Sequence, residues 1–345
     1  MEIVLFISVG EKNMNKSLGT YNIIDKDGIC QSIQNVLVKN IDYNTYTSPK
    51  GLKELRIEIS HFLSNTWNYS IPYENMLITT GSQQSIHLIT NTLVQENDYI
   101  LVEEPTYYGA IDSFKKRNVQ LLGIPIHEDG PNMDEMEKII QQTSPKIIYV
   151  IPTFHNPTGY CWTIQKRKEF LKLINQYNIL VIEDDPYSLI HFHKKRVKSL
   201  YELNHGKNII YIGTFSKIIS PSIKVGYIIC DKEILNKLFS MKKAFDLCTN
   251  TFIQHVVLDY LKTHDLNQII SNKIRIYKKL LQKSIQDLEE NYKDQILYYS
   301  HPKGGLFFLV KFKKPVNEEE FEDGSHYYIN KNDSSITRIN ICSQL

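Results

Sequence analysis

The sequence lacks any large excess of charge, any paired-cysteine motif and any long apolar run. Its 40 Lys and Arg residues nearly balance 38 Asp and Glu residues, so the net charge of +2 argues against a polyanion as the main ligand. The five cysteines form no Cys-x-x-Cys pair, which favours free thiols in a reducing cytoplasm. No apolar run approaches the length of a membrane span, and the apolar residues 1–9 include an acid where a signal peptide carries basic residues. We therefore expect a cytoplasmic protein that binds neither nucleic acid nor a membrane.

Two further absences concern the fold and the ligand. No Gly-x-Gly-x-x-Gly stretch is present, which removes the usual signal for a dinucleotide. Neither Gly nor Pro occurs between Tyr227 and His301, which predicts a run of long helices leading into a smaller domain. Before them, from about Ile41 to Asp231, short apolar runs alternate with amphipathic stretches, a pattern typical of βαβ units around a mostly parallel sheet. We expect an arm and a first helix in residues 1–40, a large domain in residues 41–240, and interdomain helices with a small domain in residues 241–345.

Among the residues that are present, Lys217 is the most informative. It lies in residues 211–220, after an apolar run, with the hydroxyls of Thr214 and Ser216 before it and Lys224 one short step beyond. A lysine that is partly desolvated near other positive charge has a lowered pKa, and its free amine can form an imine with an aldehyde. Taken alone, such a lysine is more often a surface residue that follows a strand.

Three other segments change that interpretation. Asn156, in the string Asn-Pro-Thr-Gly, follows a β-branched apolar run, and Asp184 ends another, with Tyr187 three residues on. Gly81 follows a third apolar run and opens a helix among small polar residues, where free N–H groups and the positive helix end can bind an anion. Because ligands bind at the carboxyl ends of parallel strands, Asn156, Asp184 and Lys217 should lie together.

These parts form a site for a phosphorylated heteroaromatic cation that carries an aldehyde. The helix start holds the phosphate, and the carboxylate pairs with a ring N–H⁺. An amide and a phenol bind a ring oxygen, and the lysine forms the imine. Pyridoxal 5′-phosphate (PLP) fits this description.

The ordered set of motifs resembles the PLP-dependent class I and II aminotransferases of fold type I. Within them it is most similar to the 2-aminoadipate and kynurenine aminotransferases and to the effector domains of MocR-type regulators. The resemblance covers about residues 40–345. It implies an α/β fold, with a large domain built on a mostly parallel seven-stranded sheet flanked by helices, and a smaller α+β domain that is shortened here. It also implies PLP, a homodimer, and ping-pong amino transfer from an L-amino acid to a 2-oxo acid through aldimine and ketimine.

The resemblance assigns roles to single residues. Lys217 matches the lysine that forms the imine with PLP and moves the substrate proton, and Asp184 matches the acid that pairs with the ring nitrogen. Tyr187 and Asn156 match the groups that bind the ring oxygen, and Tyr107, in Glu-Pro-Thr-Tyr, matches the aromatic ring that stacks on the cofactor. The other cofactor contacts implied in the same chain are Gly81, Ser82, Gln83, Thr214, Ser216 and Lys224.

Two more matches concern the partner subunit and the substrate. Tyr46 lies five residues before Gly51, the spacing of a tyrosine that reaches the phosphate of the neighbouring subunit. Arg338 matches the arginine that clamps the substrate α-carboxylate through two parallel hydrogen bonds, and Asn156 is also expected to contribute to substrate binding.

Two departures from the family pattern are expected to affect binding. Lys224 stands where the family usually has arginine, so the charge is kept but the fork geometry is lost. Beyond residues 304–310 an internal segment and the terminal helix of the family are missing, and the chain stops soon after Arg338. We therefore expect intact cofactor binding but weaker binding of the substrate carboxylate.

Other functions are compatible with the same residues. A MocR-type module would bind PLP to control a DNA-binding domain, although no helix-turn-helix precedes residue 40. A degenerate member would bind PLP without turnover, and the same scaffold supports lyase or decarboxylase chemistry. His191 and His193 alternate without a Cys or carboxylate partner, so no metal site is expected. His155, beside Asn156, could either touch the substrate or cover the loop.

Overall fold

The computed structural model describes residues 23–42, 45–193, 196–317, 320–330 and 333–343. Most of the arm expected at the start of the chain, residues 1–22, lies outside them. The first helix of the described residues, α1 (Lys26–Val38), begins where the Asp25 side chain accepts a hydrogen bond from the Gly28 N–H at 3.1 Å. This bond satisfies one of the free donors of the first turn. No helix within the described ranges is both long and apolar enough to cross a membrane.

Eight strands form the large sheet: β1 (Met76–Thr79), β2 (Tyr99–Glu104), β3 (Gln120–His127), β4 (Gly130–Pro131), β5 (Ile147–Val150), β6 (Leu180–Asp184), β7 (Ile209–Thr214) and β8 (Gly226–Ile229). Their order is β1-β8-β7-β6-β5-β2-β3-β4. The strands β3, β2, β5, β6 and β7 run parallel, whereas β8 pairs antiparallel with both β7 and β1. The sheet therefore contains the seven expected strands and a two-residue addition, β4, which turns back against the end of β3.

Helices cover both faces of the large sheet. Successive strand residues point to opposite faces, so Ile148 and Val150 join one apolar cluster while Ile147 and Tyr149 join the other. Because both faces are apolar, the central strands are buried over their whole length. The helices of this region are α2 (Lys53–Trp67), α3 (Gly81–Leu93), α4 (Tyr108–Lys115), α5 (Met133–Thr143), α6 (Ile164–Tyr177) and α7 (Leu200–Leu203).

Three helices follow the large sheet, as the absence of Gly and Pro predicts: α8 (Lys232–Asp246), α9 (Thr251–Thr263) and α10 (Leu266–Tyr292). The last of them, α10, contributes to two cores. Leu266 and Ile270, near its start, belong to an apolar cluster of the large sheet, whereas Tyr277 and Leu288 belong to a third cluster. The third cluster packs on a small antiparallel sheet of β9 (Ile296–Tyr299), β10 (Phe307–Phe312) and β11 (Ile336–Asn340), with β10 in the centre.

The connection between β10 and β11 packs against the large sheet. Its described residues include one 3-10 turn, Gly324–Tyr327. The Tyr327 carbonyl accepts a hydrogen bond from the Thr106 N–H at 2.9 Å, and Glu104 Oε1 accepts one from the Ile329 N–H at 3.1 Å. These two bonds hold the connection against the turn that follows β2, at the carboxyl end of the sheet.

Candidate active site

The carboxyl ends of β5, β6 and β7 meet at one cavity. Asn156 follows β5, Asp184 ends β6 and Lys217 follows β7, so the parallel topology brings together residues that are distant in sequence. The cavity is lined by Ser82, Tyr107, Ile151, Asn156, Asp184, Pro186, Tyr187, Lys217, Phe307 and Arg338. The large sheet, the small sheet and the start of α3 all contribute to this lining.

Asp184 is a buried carboxylate in which one oxygen accepts a hydrogen bond and the other does not. The Tyr149 hydroxyl donates to Oδ2 at 2.7 Å, whereas Oδ1 has no hydrogen-bond partner among the described residues. Burial raises the pKa of Asp184 to about 7, although the Tyr149 hydrogen bond and the charge of Lys217 oppose the rise. A bare buried carboxylate oxygen is costly unless a donor occupies it, and a cationic ring N–H is a donor of the required charge.

Lys217 combines an amine with an environment that favours its neutral form. Burial, with a smaller contribution from the positive charge of Arg338, lowers the pKa of Lys217 to about 8. At pH 8 roughly half of its side chains would be unprotonated, compared with well under about 1% for an ordinary lysine. The group is therefore available as a nucleophile and as a base near neutral pH.

A buried lysine on α10, Lys273, holds the turn that carries Lys217. Its Nζ donates to the carbonyl of Ile218 and, at 3.4 Å, to that of Ile219. Burial lowers the pKa of Lys273 to about 8 as well. Lys273 does not line the cavity, so it supports the backbone beyond Lys217 and does not face a ligand there.

Asn156, Tyr187 and Tyr107 complete the inner wall. Asn156 and Tyr187 are both buried, and Asn156 Oδ1 accepts a hydrogen bond from Arg338 Nη1 at 3.1 Å. Burial raises the pKa values of the Tyr187 and Tyr107 hydroxyls, so both phenols keep their protons and act as neutral donors. The amide of Asn156 and the hydroxyl of Tyr187 can therefore both donate to a ring oxygen.

The loop that carries Asn156 is fixed by a buried network. His155 is fully buried, with Nε2 3.3 Å from Glu103 Oε2 and Nδ1 3.0 Å from the Thr158 hydroxyl. Because His155 does not line the cavity, the structure favours the interpretation that it covers the loop. Gly159 closes the same loop at φ +72°, and a Cβ there would lie 2.5 Å from the carbonyl oxygen of Phe307. The loop and β10 are thus packed too closely for any larger residue.

The start of α3 leaves space and free donors for an anion. Gly81 has φ +80°, no atom lies within 4 Å of the position its Cβ would take, and the N-cap residue Thr80 makes no capping hydrogen bond with its side chain. First-turn N–H groups without a side-chain cap can bind an anion. Ser82 lines the cavity at this end, whereas the Gln83 amide donates to the carbonyl of Gly109 and the Ser113 hydroxyl. Of the groups of Gln83, the backbone N–H is therefore the one that can bind a phosphate.

The other predicted phosphate contacts do not line the cavity. The hydroxyls of Thr214 and Ser216 bond to each other at 3.1 Å, beside the turn of Lys217. Lys224 is exposed and adopts a left-handed conformation, φ 47°, after a short turn. Tyr46 is 81% exposed and makes no contribution to the cavity of its own chain.

Arg338, on β11, lines the cavity. It is only 4% exposed, and its guanidinium lies 4.0 Å from the centre of the Phe307 ring. Nη2 lies 3.1 Å from Glu322 Oε2, in the connection before β11. Burial alone would lower the pKa of Arg338, but electrostatic interactions with Tyr327 and Glu322 raise it overall.

The residues present fit PLP. The bare Asp184 oxygen matches the ring nitrogen, the open space at Gly81 matches a phosphate, and Lys217 matches the aldehyde. Within the described ranges, no group of three or more His, Cys, Asp or Glu side chains is placed to hold a metal ion. His191 Nδ1 instead lies 2.7 Å from the His193 carbonyl.

Sequence reasoning missed three residues of this site. The alternation of β5 places Tyr149 on one face of the sheet, so its position could have been found from the strand pattern. Phe307 lies in the apolar run of β10 without a distinguishing signal. Glu322 lies in an irregular segment, where neither periodicity nor spacing indicates its pairing with Arg338.

Comparisons with known proteins agree with this geometry. The family model for class I and II aminotransferases matches residues 18–334. The "Aromatic-amino-acid aminotransferase 1" of Thermococcus litoralis is 33% identical over 79% of this chain and 66% of its own length. The "2-aminoadipate transaminase" of Thermus thermophilus is 31% identical over 79% of this chain and 68% of its own length.

A solved structure shows the same fold. The kynurenine aminotransferase of Pyrococcus horikoshii, in complex with PMP, is 28% identical, with a TM-score of 0.86 over 93% of this chain and 83% of that one. The expected large mostly parallel sheet flanked by helices, typical of fold type I, is confirmed. Because the family match extends over most of the sequence, this chain belongs to the class I and II aminotransferases.

Proposed function

We propose that this protein transfers an amino group from an L-amino acid to a 2-oxo acid, with PLP as its cofactor. The observation that carries the proposal is the convergence of Lys217, Asp184 and Arg338 on one cavity. They supply an amine of lowered pKa, a bare carboxylate oxygen and a guanidinium that can bind a carboxylate. These are the groups that such a reaction requires from the protein.

The cofactor would be held from both ends. Asp184 Oδ1 would accept the N–H of the pyridine ring, and the first turn of α3 would bind the phosphate through its N–H groups. Asn156 and Tyr187 would donate to the ring oxygen, and Tyr107 would supply an aromatic face. Bound there, PLP supplies an electron sink for the charge left when the substrate loses its α-proton.

Lys217 acts twice. Its Nζ would hold the cofactor, and the same amine, when released, would be the base that takes the proton from the substrate α-carbon. The pKa of about 8 leaves about a tenth of this amine unprotonated at pH 7 and about half at pH 8, far more than for an ordinary lysine. Lys273 keeps the turn in place by its bonds to the carbonyls of Ile218 and Ile219 while Nζ of Lys217 moves.

Arg338 binds the substrate α-carboxylate, and Asn156 orients the guanidinium. Lys217 and Arg338 supply the positive charge of the lining, and the rest of it is neutral or acidic, with aromatic and aliphatic walls from Phe307 and Ile151. We infer that an amino donor with an apolar or aromatic side chain binds better than a dicarboxylic donor.

A homodimer in the cytoplasm is the state that we propose. Tyr46 is 81% exposed, which suits a residue that contacts the phosphate of a second subunit, and α1 exposes Leu37 and Val38 nearby in sequence. A second subunit that packed on this part of the chain would cover these side chains. All five cysteines are free thiols, as expected in a reducing compartment. Sedimentation and cell fractionation test the two statements separately.

Covalent labelling tests the assignment of Lys217. The protein reconstituted with PLP should absorb in the visible range, and borohydride should fix the cofactor to a peptide that contains Lys217. Lys273 is the matched comparison, because it is a buried lysine whose pKa is also lowered to about 8. Labelling at Lys273, or no chromophore after PLP is added, would overturn the assignment.

A donor panel tests the reaction itself. Phenylalanine, leucine, glutamate and 2-aminoadipate are each mixed with the PLP form, and conversion to the pyridoxamine form is followed by absorbance. We expect conversion with the apolar and aromatic donors first. Labelled Lys217 without conversion by any donor would instead favour a PLP-binding module or other PLP chemistry.

A further inference from the structure

The guanidinium of Arg338 has an anionic partner within the chain. Nη2 lies 3.1 Å from Glu322 Oε2, while Nη1 donates to Asn156 Oδ1 at 3.1 Å. The two charged side chains are 1% and 9% exposed, so water screens their interaction very little. A substrate carboxylate would therefore meet an arginine whose charge is already partly balanced.

Glu322 is held in its ionised form. The Tyr327 hydroxyl lies 3.2 Å from each carboxylate oxygen, and His326 Nε2 lies 3.3 Å from Oε1. Burial alone would raise the pKa of Glu322, but the hydrogen bond from His326 and the charge of Arg338 lower it overall. Glu322 is thus a carboxylate at neutral pH.

Glu322 approaches Arg338 from outside the cavity. Arg338 lines the cavity and Glu322 does not, so the two carboxylates, resident and substrate, would bind different sides of one guanidinium. The segment after Glu322 cannot swing away freely, because its Tyr327 carbonyl and Ile329 N–H are bonded to Thr106 and Glu104. The ring of His326 also packs edge-on against Tyr108, with ring centres 5.1 Å apart.

Two effects on substrate binding follow from this geometry. The contacts of Nη2 with Glu322 and of Nη1 with Asn156 restrain the plane of the guanidinium, which favours two-point binding of a planar carboxylate. It also places a second negative charge close to the substrate carboxylate, in a site where like charges repel strongly. The first effect improves orientation, and the second lowers affinity.

We propose that Glu322 is a positioning residue that weakens the hold of Arg338 on the α-carboxylate. The proposal rests on the carboxylate-binding role given to Arg338 under the proposed function. Amino acid and oxo acid carry the same α-carboxylate, so a weaker clamp speeds release of the product as well as of the substrate. A site that runs in both directions gains turnover when neither acid is held tightly.

The test measures carboxylate binding without turnover. 3-Phenylpropionate carries the carboxylate but no amine, so it cannot react with the cofactor, and 3-phenyl-1-propanol serves as the ligand without a charge. Binding of each to the PLP form is measured by calorimetry at pH 7.5. Glu322→Gln removes the charge and keeps the shape, whereas Glu320→Gln removes a charge from an exposed side chain two residues away that bonds to Tyr292.

We expect Glu322→Gln to bind 3-phenylpropionate roughly tenfold tighter than wild type, with 3-phenyl-1-propanol unchanged and Glu320→Gln like wild type. KM for the amino acid should fall more than kcat changes. A purely structural role would raise KM and weaken binding, and either that result or unchanged affinity overturns the proposal. If Glu322→Gln does not fold, Glu322→Asp carries the same test, because its shorter side chain withdraws the charge and should give a smaller gain.

The two proposals fail separately. If no donor is converted but Glu322→Gln still tightens 3-phenylpropionate binding, the aminotransferase proposal fails and the role of Glu322 stands. If amino transfer is observed and the affinity does not rise, the role of Glu322 fails alone.

Discussion

Replacing Asp184 with asparagine should stabilise the cofactor-free protein while weakening its hold on PLP. The carboxylate is buried beside one hydrogen-bond donor, and its pKa is raised from 3.8 to about 7. A group whose pKa is higher in the folded state destabilises the fold progressively as the pH rises from about 4 to about 7. Below about pH 4 the carboxyl is protonated in both states and this cost disappears.

The shift sets the size of the effect. About three pKa units at about 1.4 kcal/mol each give a cost of about 4 kcal/mol above pH 7. The new amide N–H₂ group has no hydrogen-bond partner, which offsets about 1–3 kcal/mol of the gain in the variant. This offset does not depend on pH. The free energy of unfolding of the variant, relative to wild type, should therefore still rise by about 2–3 kcal/mol from pH 5 to pH 8.

Urea unfolding of the cofactor-free proteins at pH 5 and pH 8 measures this difference. PLP affinity of Asp184→Asn should fall at the same time by about ten- to a hundredfold, because a charge-assisted hydrogen bond of about 1.5–3 kcal/mol is lost. Tyr149→Phe is the matched control. The Tyr149 hydroxyl lowers the pKa of Asp184, so its removal should raise that pKa further and make the variant less stable than wild type as the pH rises. A stability difference that is flat or shrinks from pH 5 to pH 8 would refute the reasoning.

Three other predictions address different parts of the site. Tyr46→Phe and Lys217→Ala, each inactive alone, should recover some activity when mixed, because a mixed dimer holds one intact site; no recovery despite proven subunit exchange would contradict the shared site. Arg338→Lys should raise KM for amino acids about ten- to a hundredfold with an unchanged PLP spectrum, because the fork geometry is lost; unchanged kinetics would place the carboxylate elsewhere. Gly159→Ala should cost about 2–4 kcal/mol in urea unfolding, because a Cβ meets the Phe307 carbonyl at 2.5 Å and φ is +72°; wild-type stability would show that the loop can move.

The sequence was sufficient for the parts of the site that regular structure positions. Asn156, Asp184 and Lys217 each end or follow a buried strand, and parallel strands leave no other edge on which they could lie. The run of helices between Tyr227 and His301 was likewise set by residue types alone. In these regions the regular period of a strand or helix determines where each residue of the sequence lies in space.

The sequence was insufficient where irregular backbone makes the contact. Glu322 meets Arg338 in a segment that two hydrogen bonds hold against the turn after β2. The Thr106 N–H donates to the Tyr327 carbonyl, and the Ile329 N–H donates to the Glu104 side chain. Similarly, the motif containing Gln83 indicated phosphate, but its side-chain amide is used to join α3 to α4. Such choices depend on which donors and acceptors come within reach after folding.

The placement of α10 has a consequence for motion. Its first turns are packed in the large core through Leu266 and Ile270, its later turns in the small core through Tyr277 and Leu288, and Lys273 lies between them. The helix therefore connects the small sheet to the backbone next to Lys217. We expect any rotation of the small sheet either to bend α10 or to strain the hydrogen bonds from Lys273 to the carbonyls of Ile218 and Ile219. Amide exchange in the turn at residues 215–219, compared with and without 3-phenylpropionate, would reveal this strain as a change in protection.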